Sequence, residues 1–368
     1  MGSHPEERSA RVRLKGGNSE RDPLVEQAAR QEGDRAGLLD RGAIFAPLAK
    51  ARRLLLAVSG GPDSVALMLL ASCWSRRGET GIEVATVDHG LREDSRQEAE
   101  QVGDWARTLG FPHHILTWQG EKTKTRLQEH AREARYRLLN ECAVRIGADH
   151  IVTAHHADDQ AETVLLRLTR GSGPAGLAGM AGFTPLDGVT LARPLLDVPK
   201  ADLIAFCEAA GHPFLRDPSN ENPAFARTRL RKLRTVLDAE GLDRASLLRL
   251  ARRAARAEAA LAETTASIRQ GLSAERGEAR VKIAGEALAG LPEEIFLRVL
   301  EAEVLGFSEG RDRLRLDRLE RAAAEILAGL RNKRVFAATL GGARMSVTPG
   351  GDLEISRAPP RRTRSRSA

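Results

Sequence analysis

The residues best suited to chemistry form the run Ser59-Gly60-Gly61-Pro62-Asp63-Ser64, which lies between two apolar stretches. Adjacent glycines let the backbone approach an anion closely, and a helix that begins here adds free N–H groups and the positive end of its dipole. Asp63 offers a metal ligand and Ser64 a hydroxyl donor. A bare Gly-Gly pair is more often an ordinary turn, but the whole run predicts a phosphate-binding loop. It differs from the P-loop of kinases and GTPases, because no lysine follows the glycines.

A second group of titratable side chains lies in residues 153–163 and includes His155, His156, Asp158, Asp159 and Glu162. Asp158 and Glu162 are four residues apart, so on a helix they share one face. Their oxygens suit Mg²⁺ held jointly with nucleotide phosphates. In the alternative interpretation Asp158 is a helix N-cap and Glu162 a favourable charge in the first turn. A zinc site is not expected, because the histidines have no third ligand at a suitable spacing.

Two further motifs carry polar side chains. In residues 88–92, Asp88 or His89 would meet the base or ribose of a nucleotide and Arg92 a phosphate; otherwise the run is a plain turn that faces water. In residues 128–136, Arg132 and Arg135 share a helix face with Gln128. That face suits an anionic substrate, although neighbouring glutamates would also pair with the arginines in an ordinary amphipathic helix.

Short apolar strands alternate with amphipathic helices around these motifs, from about residue 53 to residue 196. This order predicts a parallel sheet covered on both faces, with ligands at the carboxyl ends of its strands. Each motif directly follows a predicted strand, so all of them should meet at one edge of the sheet. The predicted strands are 54–58, 82–88, 114–118 and 151–154, and the predicted helices are 63–76, 94–109, 126–146, 158–170 and 200–210.

The flanking regions differ in composition from this α/β part, which we assign to residues 46–222. Residues 1–45 and 358–368 are polar and charged and are predicted to be disordered. Residues 223–275 favour helix, and the arginines at 227, 229, 231 and 234 make this segment the best candidate for contact with a phosphate backbone. Residues 276–357 predict a small α+β domain with a hairpin at Pro349-Gly350-Gly351.

The charge, the cysteines and the hydropathy of the chain indicate which kinds of partner and compartment to expect. The net charge of +7 over 368 residues favours a polyanionic partner such as nucleic acid, although the excess of Arg over Lys also fits a GC-rich coding sequence. Three scattered cysteines (Cys73, Cys142 and Cys207) have no metal or redox spacing, which favours a reducing compartment, the cytoplasm. No apolar run is long enough to span a bilayer, so no membrane association is expected.

Taken together, seven motifs resemble the tRNA(Ile)-lysidine synthetases, a family of the PP-loop ATP pyrophosphatases, in order and in approximate spacing. They are residues 59–64, 88–92, 128–136, 155–163, 170–180, 193–196 and 217–220. The resemblance covers about residues 53–237, and residues 284–355 are similar only in pattern to the first C-terminal domain of the family. Longer members carry a further C-terminal domain.

The resemblance implies a sheet of the adenine-nucleotide α-hydrolase type and a ligase that forms a carbon–nitrogen bond. ATP would adenylate the C2 oxygen of the wobble cytidine in an isoleucine tRNA with the anticodon CAU. The ε-amine of L-lysine would then displace AMP to form lysidine, and pyrophosphate would be the other product. The implied cofactors are ATP and Mg²⁺, and the resemblance favours a homodimer.

The same resemblance suggests roles for particular residues. Those implied to bind ATP are Ser59, Gly60, Gly61, Pro62, Asp63, Ser64, Asp88 and His89. Those implied to be catalytic are Asp63, Arg132, His155, Asp158 and Glu162. Among them, Asp63 and Asp158 would hold the metal, Asp158 and Glu162 would bind metal or the lysine ammonium group, and Arg132 and His155 would contact substrate.

Three alternatives share some of these features. A tRNA cytidine thiolase uses the same adenylation but typically needs paired cysteines, and no two cysteines here are paired in sequence. GMP and NAD synthetases share the loop but act on small molecules, which fits the basic helical segment less well. A non-catalytic RNA-binding relative would not need carboxylates beside the loop.

Overall fold

The computed structural model describes residues 39–75, 80–90, 94–119, 127–215, 229–231, 233–277, 279–307 and 314–359. The chain divides into two compact units, residues 1–251 and 252–368. The predicted disordered ends at 1–38 and 360–368, the motif at 217–220, and Arg92 and Arg227 lie outside the described residues. None of the described helices is long and apolar enough to cross a membrane.

The first unit contains a six-stranded sheet with the strand order β3-β2-β1-β4-β6-β5. Its strands are β1 Arg53–Ala57, β2 Gly81–Asp88, β3 His113–Thr117, β4 His150–Val152, β5 Phe183–Leu186 and β6 Val189–Ala192. All neighbouring strands are parallel except β5, which pairs antiparallel with β6. The central strand β1 is buried on both faces, as its run of three leucines predicts. The predicted parallel α/β sheet is confirmed.

The described helices of this unit are α1 Arg41–Phe45, α2 Pro62–Ser75, α3 Ser95–Thr108, α4 Leu127–Ile146, α5 Ala157–Leu168, α6 Pro174–Leu177, α7 Lys200–Ala209 and α8 Arg234–Ala239. The five helices predicted for this unit, which correspond to α2, α3, α4, α5 and α7, begin and end within about two residues of their predicted positions. The short helices α1 and α6 were not predicted. The hairpin β5–β6 was also not predicted, although Asp187-Gly188 at its turn, with Gly188 at φ +80°, is a recognised hairpin signal.

The boundary predicted for the disordered N-terminal extension, residue 45, lies too far along the chain. Phe45, at the end of α1, is fully buried in the core of the first unit. Its ring stacks on Trp74 with 5.0 Å between centroids. Residues from Leu39 onward therefore belong to the folded unit, because an aromatic side chain in this position contributes to its core.

The predicted helical segment, 223–275, is divided between the two units. After α8 the chain turns at Gly241, which has φ +82°, and continues as α9, Arg244–Gly271. Residues of α9 up to Ala251 belong to the first unit, where Leu247 and Ala251 pack with Val164 of α5. From Arg252 onward the helix belongs to the second unit.

The second unit contains an antiparallel sheet with the strand order β7-β8-β11-β10-β9. Its elements are β7 Ala274–Arg276, β8 Arg280–Ile283, α10 Gly285–Ala289, α11 Glu293–Leu305, α12 Leu316–Arg331, β9 Phe336–Leu340, β10 Ala343–Val347 and β11 Leu353–Arg357. Phe296, Ile326 and Met345 lie in its core. The predicted hairpin is present, with Val347 paired to Leu353 across the turn.

Candidate active site

The loop between β1 and α2 is closed by its own hydrogen bonds. The hydroxyl of Ser64 accepts from the Ser59 N–H at 3.1 Å and donates to the Gly61 carbonyl at 3.0 Å. Gly60 has φ +86°, and a Cβ added to it would lie 2.5 Å from Cδ1 of Leu215, whose N–H donates to the Gly60 carbonyl. Only glycine fits this position without strain.

A cavity of about 550 Å³ opens beside this loop, at the carboxyl ends of β1, β2 and β4. Its volume is in the range of small-molecule binding sites. Six of the predicted site residues line it: Ser59, Gly61, Asp63, Ser64, His89 and His155. The structure thus brings together the loop and the ends of the second and fourth strands, as the placement of the motifs predicts.

Asp63, at the start of α2, lies between two basic side chains. Its Oδ2 is 3.3 Å from Nζ of Lys200 and 3.5 Å from Nε2 of His156. Burial raises the pKa of this carboxyl, but the hydrogen bond and charge of His156 and the charge of Lys200 outweigh it and hold the pKa below its ordinary value. Asp63 is therefore ionised at neutral pH and carries a negative charge at the cavity wall.

His156 is the N-cap of α5, so the alternative interpretation in which Asp158 takes that position is wrong. Its Nδ1 accepts from the Asp159 N–H at 3.3 Å, while the Asp159 carboxylate accepts from the His156 N–H at 3.2 Å. Burial lowers the pKa of His156, but Asp63 and Asp159 outweigh it and raise the pKa. Two effects oppose each other, because the cap needs an unprotonated Nδ1 and the carboxylates favour the charged ring.

Asp158 does not line the cavity. One of its oxygens accepts from the Lys200 N–H at 2.9 Å, and its carboxylate also receives Arg234 at 2.9 Å and Arg244 at 3.3 Å. Burial raises the pKa of this carboxyl, but these donors lower it below its ordinary value. In this conformation Asp158 joins α5 to α7, α8 and α9.

Glu162 lies one turn further along α5 and also does not line the cavity. Both of its oxygens accept from Arg231, one from Nε and the other from Nη2 at 3.0 Å. The hydrogen bond to Glu162 raises the pKa of Arg231 further above its ordinary value. Two arginines of the predicted basic segment, Arg231 and Arg234, are thus paired with acids of α5.

The arginines of α4 are placed differently from one another. Arg135 lines the cavity, and its Nη2 donates to Nε2 of His89 at 3.2 Å. The imidazole of His89 in turn lies edge-on to Trp118. Arg132 is exposed and does not line the cavity; its guanidinium lies 5.0 Å from the ring centroid of Tyr136. The helical spacing identifies the shared face, but it does not say which arginine reaches the cavity.

Asp88 shapes the turn after β2 and is not part of the cavity wall. Its Oδ1 accepts from the Gly90 N–H at 2.8 Å and from the Ser95 hydroxyl at 2.7 Å. His155 does line the cavity, with Nδ1 2.9 Å from the Thr153 hydroxyl. Asp88 therefore acts on the site through the turn that carries His89.

Four side chains that the structure places at or beside the site were not given an ATP-binding or catalytic role from the sequence: Glu98, Arg135, His156 and Lys200. Arg135 and His156 lay within the motifs named above, but the sequence did not show that Arg135 rather than Arg132 reaches the cavity, or that His156 caps α5. Lys200 had no motif around it; its position at the start of a predicted helix after the sheet was the one signal. Within the described ranges, no three His, Cys, Asp or Glu side chains are arranged to bind one metal ion.

Comparisons with known proteins agree with the fold and the loop described above. Residues 39–237 match a family model described as the PP-loop domain. A tRNA(Ile)-lysidine synthase from Methylobacterium sp. strain 4-46 is 50% identical over 317 residues, which are 85% of this chain and 91% of that protein. The one from Bradyrhizobium diazoefficiens is 47% identical over 338 residues, 87% of this chain and 93% of that protein.

A solved structure, the U34-tRNA thiolase NcsA from Methanococcus maripaludis, matches with a TM-score of 0.50 and 16% identity, covering 63% of this chain and 79% of that one. At this identity the match supports the fold alone. The high identity to the curated relatives over most of their length decides the family. The chain belongs to the PP-loop proteins and, within them, to the tRNA(Ile)-lysidine synthase family.

Proposed function

We propose that this protein is a ligase that uses ATP to join L-lysine to C2 of the wobble cytidine in the isoleucine tRNA with the anticodon CAU. The observation that carries the proposal is the cavity beside the lysine-free loop, with the ionised Asp63 in its wall. The protein would act in the cytoplasm, and the family resemblance favours a homodimer.

In the first half-reaction, the C2 oxygen of cytidine attacks the α-phosphorus of ATP and pyrophosphate leaves. The backbone of Gly60 and Gly61 and the hydroxyls of Ser59 and Ser64 are suited to bind the phosphates at the start of α2. His89, whose Nε2 accepts from Arg135, is proposed to contact the nucleoside. Activation is needed because an oxygen bonded to C2 is a poor leaving group until it becomes a phosphate ester.

The donor set at Asp63 fits Mg²⁺, since its enclosed Oδ1 accepts no hydrogen bond from any described residue. When bound, the ion would neutralise charge on the departing pyrophosphate. Asp158 is proposed as a second ligand, but it can reach the ion only after it releases Arg234 or Arg244. Asp63 is therefore the first ligand in this proposal.

In the second half-reaction, the ε-amine of lysine attacks C2 and AMP leaves. Glu162 and Asp158 are proposed to receive the lysine ammonium group, which at Glu162 means replacing the guanidinium of Arg231. His155, in the cavity wall, and the exposed Arg132 are proposed to contact substrate groups. The ammonium group must lose one proton before its nitrogen attacks C2, and in this proposal the carboxylate that binds the group, Glu162 or Asp158, accepts that proton.

The test is incorporation of radiolabelled lysine into a transcript of this tRNA by the full-length protein with ATP and Mg²⁺. The expected result is one lysine and one AMP per tRNA. A transcript that differs only in carrying GAU in place of CAU is the matched control and should accept no label. Failure to label the CAU transcript under conditions that support ATP binding would contradict the proposal.

The same assay, supplied with sulfide, addresses the thiolase alternative. The three cysteines are free and lie on separate helices, Cys73 on α2, Cys142 on α4 and Cys207 on α7, and the last two are buried. We therefore expect no sulfur in the product. AMP formation with transfer of sulfur rather than lysine would favour the thiolase.

A further inference from the structure

The two oxygens of Asp63 have different surroundings. Oδ2 has two basic neighbours, His156 Nε2 and Lys200 Nζ. Oδ1 is enclosed as well, yet among the described residues it has no hydrogen-bond donor. An enclosed carboxylate oxygen without a donor is costly, so a ligand is expected there.

His156 is rigidly placed for its contact with Asp63. Its side chain is only 3% exposed, and Nδ1 is bound to the backbone N–H of Asp159 as the cap of α5. With Nδ1 attached to the helix, Nε2 lies 3.5 Å from Oδ2 of Asp63 and 3.4 Å from Oδ2 of Asp159. The ring orientation is therefore set by the backbone of α5, independently of the loop.

Lys200 is placed by a different carboxylate. It is the first residue of α7, and its backbone N–H donates to Oδ2 of Asp158 at 2.9 Å. Asp158 is itself held by Arg234 and Arg244. The position from which the lysine side chain extends toward Asp63 is thus determined by an ion-pair cluster outside the cavity.

We propose that His156 and Lys200 are positioning residues, which hold Asp63 by Oδ2 and so present Oδ1 as the ligand of a divalent cation bound with the nucleotide. The inference rests on the proposed function only in placing the nucleotide and the cation in this cavity. Groups that hydrogen-bond a ligating carboxylate orient it, and their loss typically weakens metal binding by about 10–100-fold. Two side chains from distant elements thereby organise a loop that has no lysine of its own.

The test measures metal binding without turnover. Mn²⁺ replaces Mg²⁺, and free Mn²⁺ is followed by electron paramagnetic resonance as it is titrated into full-length protein with a non-hydrolysable ATP analogue, without tRNA or lysine. The variants are Lys200→Met, Lys200→Arg and His156→Asn. Asparagine is a good N-cap, so the last variant keeps the start of α5 intact while losing the contact with Asp63.

Lys200→Met and His156→Asn are each expected to raise the dissociation constant of Mn²⁺ by about tenfold or more, and Lys200→Arg should restore it to within about threefold of wild type. The affinity for the analogue without metal should be nearly unchanged. Lys282→Met is the matched control: it breaks a lysine–aspartate pair of similar geometry in the second unit, with Asp352 at 3.0 Å, and should leave Mn²⁺ binding unaltered.

Unchanged Mn²⁺ affinity in Lys200→Met and His156→Asn would overturn the proposal, since the two residues would then only support the fold. Tighter binding would overturn it too, because Lys200 would then compete with the cation. Unaltered Mn²⁺ binding in Asp63→Asn would show that Asp63 is not a ligand of the cation, which would also overturn the proposal. A wild-type protein that binds Mn²⁺ as described but transfers no lysine would contradict the proposed function and leave this inference standing.

Discussion

The loop of residues 59–64 takes most of its hydrogen bonds from within itself, whereas the acidic face of α5, formed by Asp158 and Glu162, is bonded to residues far along the chain. In the loop, Ser64 bonds to Ser59 and Gly61, three to five residues away. The arginine partners of the acidic face, Arg231, Arg234 and Arg244, are 69 to 86 residues away, and the Lys200 N–H that Asp158 also binds is 42 residues away.

This difference separates two kinds of functional residue. A loop stabilised locally has nearly the same shape wherever it occurs, so its chemistry can be inferred from its residue types. A carboxylate on a helix surface takes its role from whatever packs against it. The same acid can bind metal, substrate or a structural arginine, and only the partner distinguishes these roles.

The largest expected effect is that of Asp63→Asn, which removes the charge of the loop and keeps its hydrogen bonds. Release of pyrophosphate from ATP should fall by about 10²–10³-fold, with a thermal midpoint close to that of wild type. A coupled pyrophosphate assay and a thermal scan measure the two. Asp104→Asn, at an exposed pair with Arg107, is the control. A decrease in the rate of pyrophosphate release of less than about tenfold would show that Asp63 has no direct role in the reaction.

Gly60→Ala tests how much the shape of the loop depends on glycine. Because Gly60 has φ +86° and little space for a Cβ, the substitution should lower the free energy of unfolding of the first unit by about 1–3 kcal/mol. Gly61→Ala has an ordinary φ and open space, so its effect should be below about 1 kcal/mol. Urea unfolding measures both, and equal effects would contradict the argument.

For the acidic face, a double-mutant cycle of Glu162→Gln and Arg231→Gln should give a coupling energy of about 1 kcal/mol. The value is moderate because the Arg231 side chain is 43% exposed. The exposed pair Arg96–Glu100 is the comparison and should give about 0.3–0.5 kcal/mol. If the two couplings are equal in urea unfolding, the long-range pair stabilises no more than a surface pair.

The smallest expected effect is that of changing the pH between about 7 and 4 on the stability contributed by the Asp158 cluster. The pKa of Asp158 is lowered in the folded state from its ordinary value of 3.8. Its stabilisation is therefore fully present above that value and is lost as pH falls through the folded pKa. The stability difference between wild type and Asp158→Asn should be constant from about pH 7 to pH 4 and shrink below. A decrease already between pH 7 and pH 5 would contradict this assignment.

Much of the fold was predictable because its signals are local. The apolar run 54–58, the helix periods and the Gly-Gly turn each depend on residues within one element, and those elements are confirmed. The hairpin β5–β6 was missed because its strands are short, and the edge of the first unit was misplaced because Phe45 enters the core from a polar segment. His156 was not recognised as the cap of α5 because histidine is an unusual N-cap.

Residue order along the chain was sufficient to predict a lysine-free phosphate loop, the strand ends that surround it and the family to which they belong, since hydrogen bonding and hydrophobic periodicity over a few residues specify these features. Tertiary packing decided three other features. It determines the orientation of Asp63, the pairing of Asp158 and Glu162 with arginines, and the position of Lys200 beside the loop. Each joins elements many residues apart, and contacts of that kind arise only once the sheet and its helices have assembled.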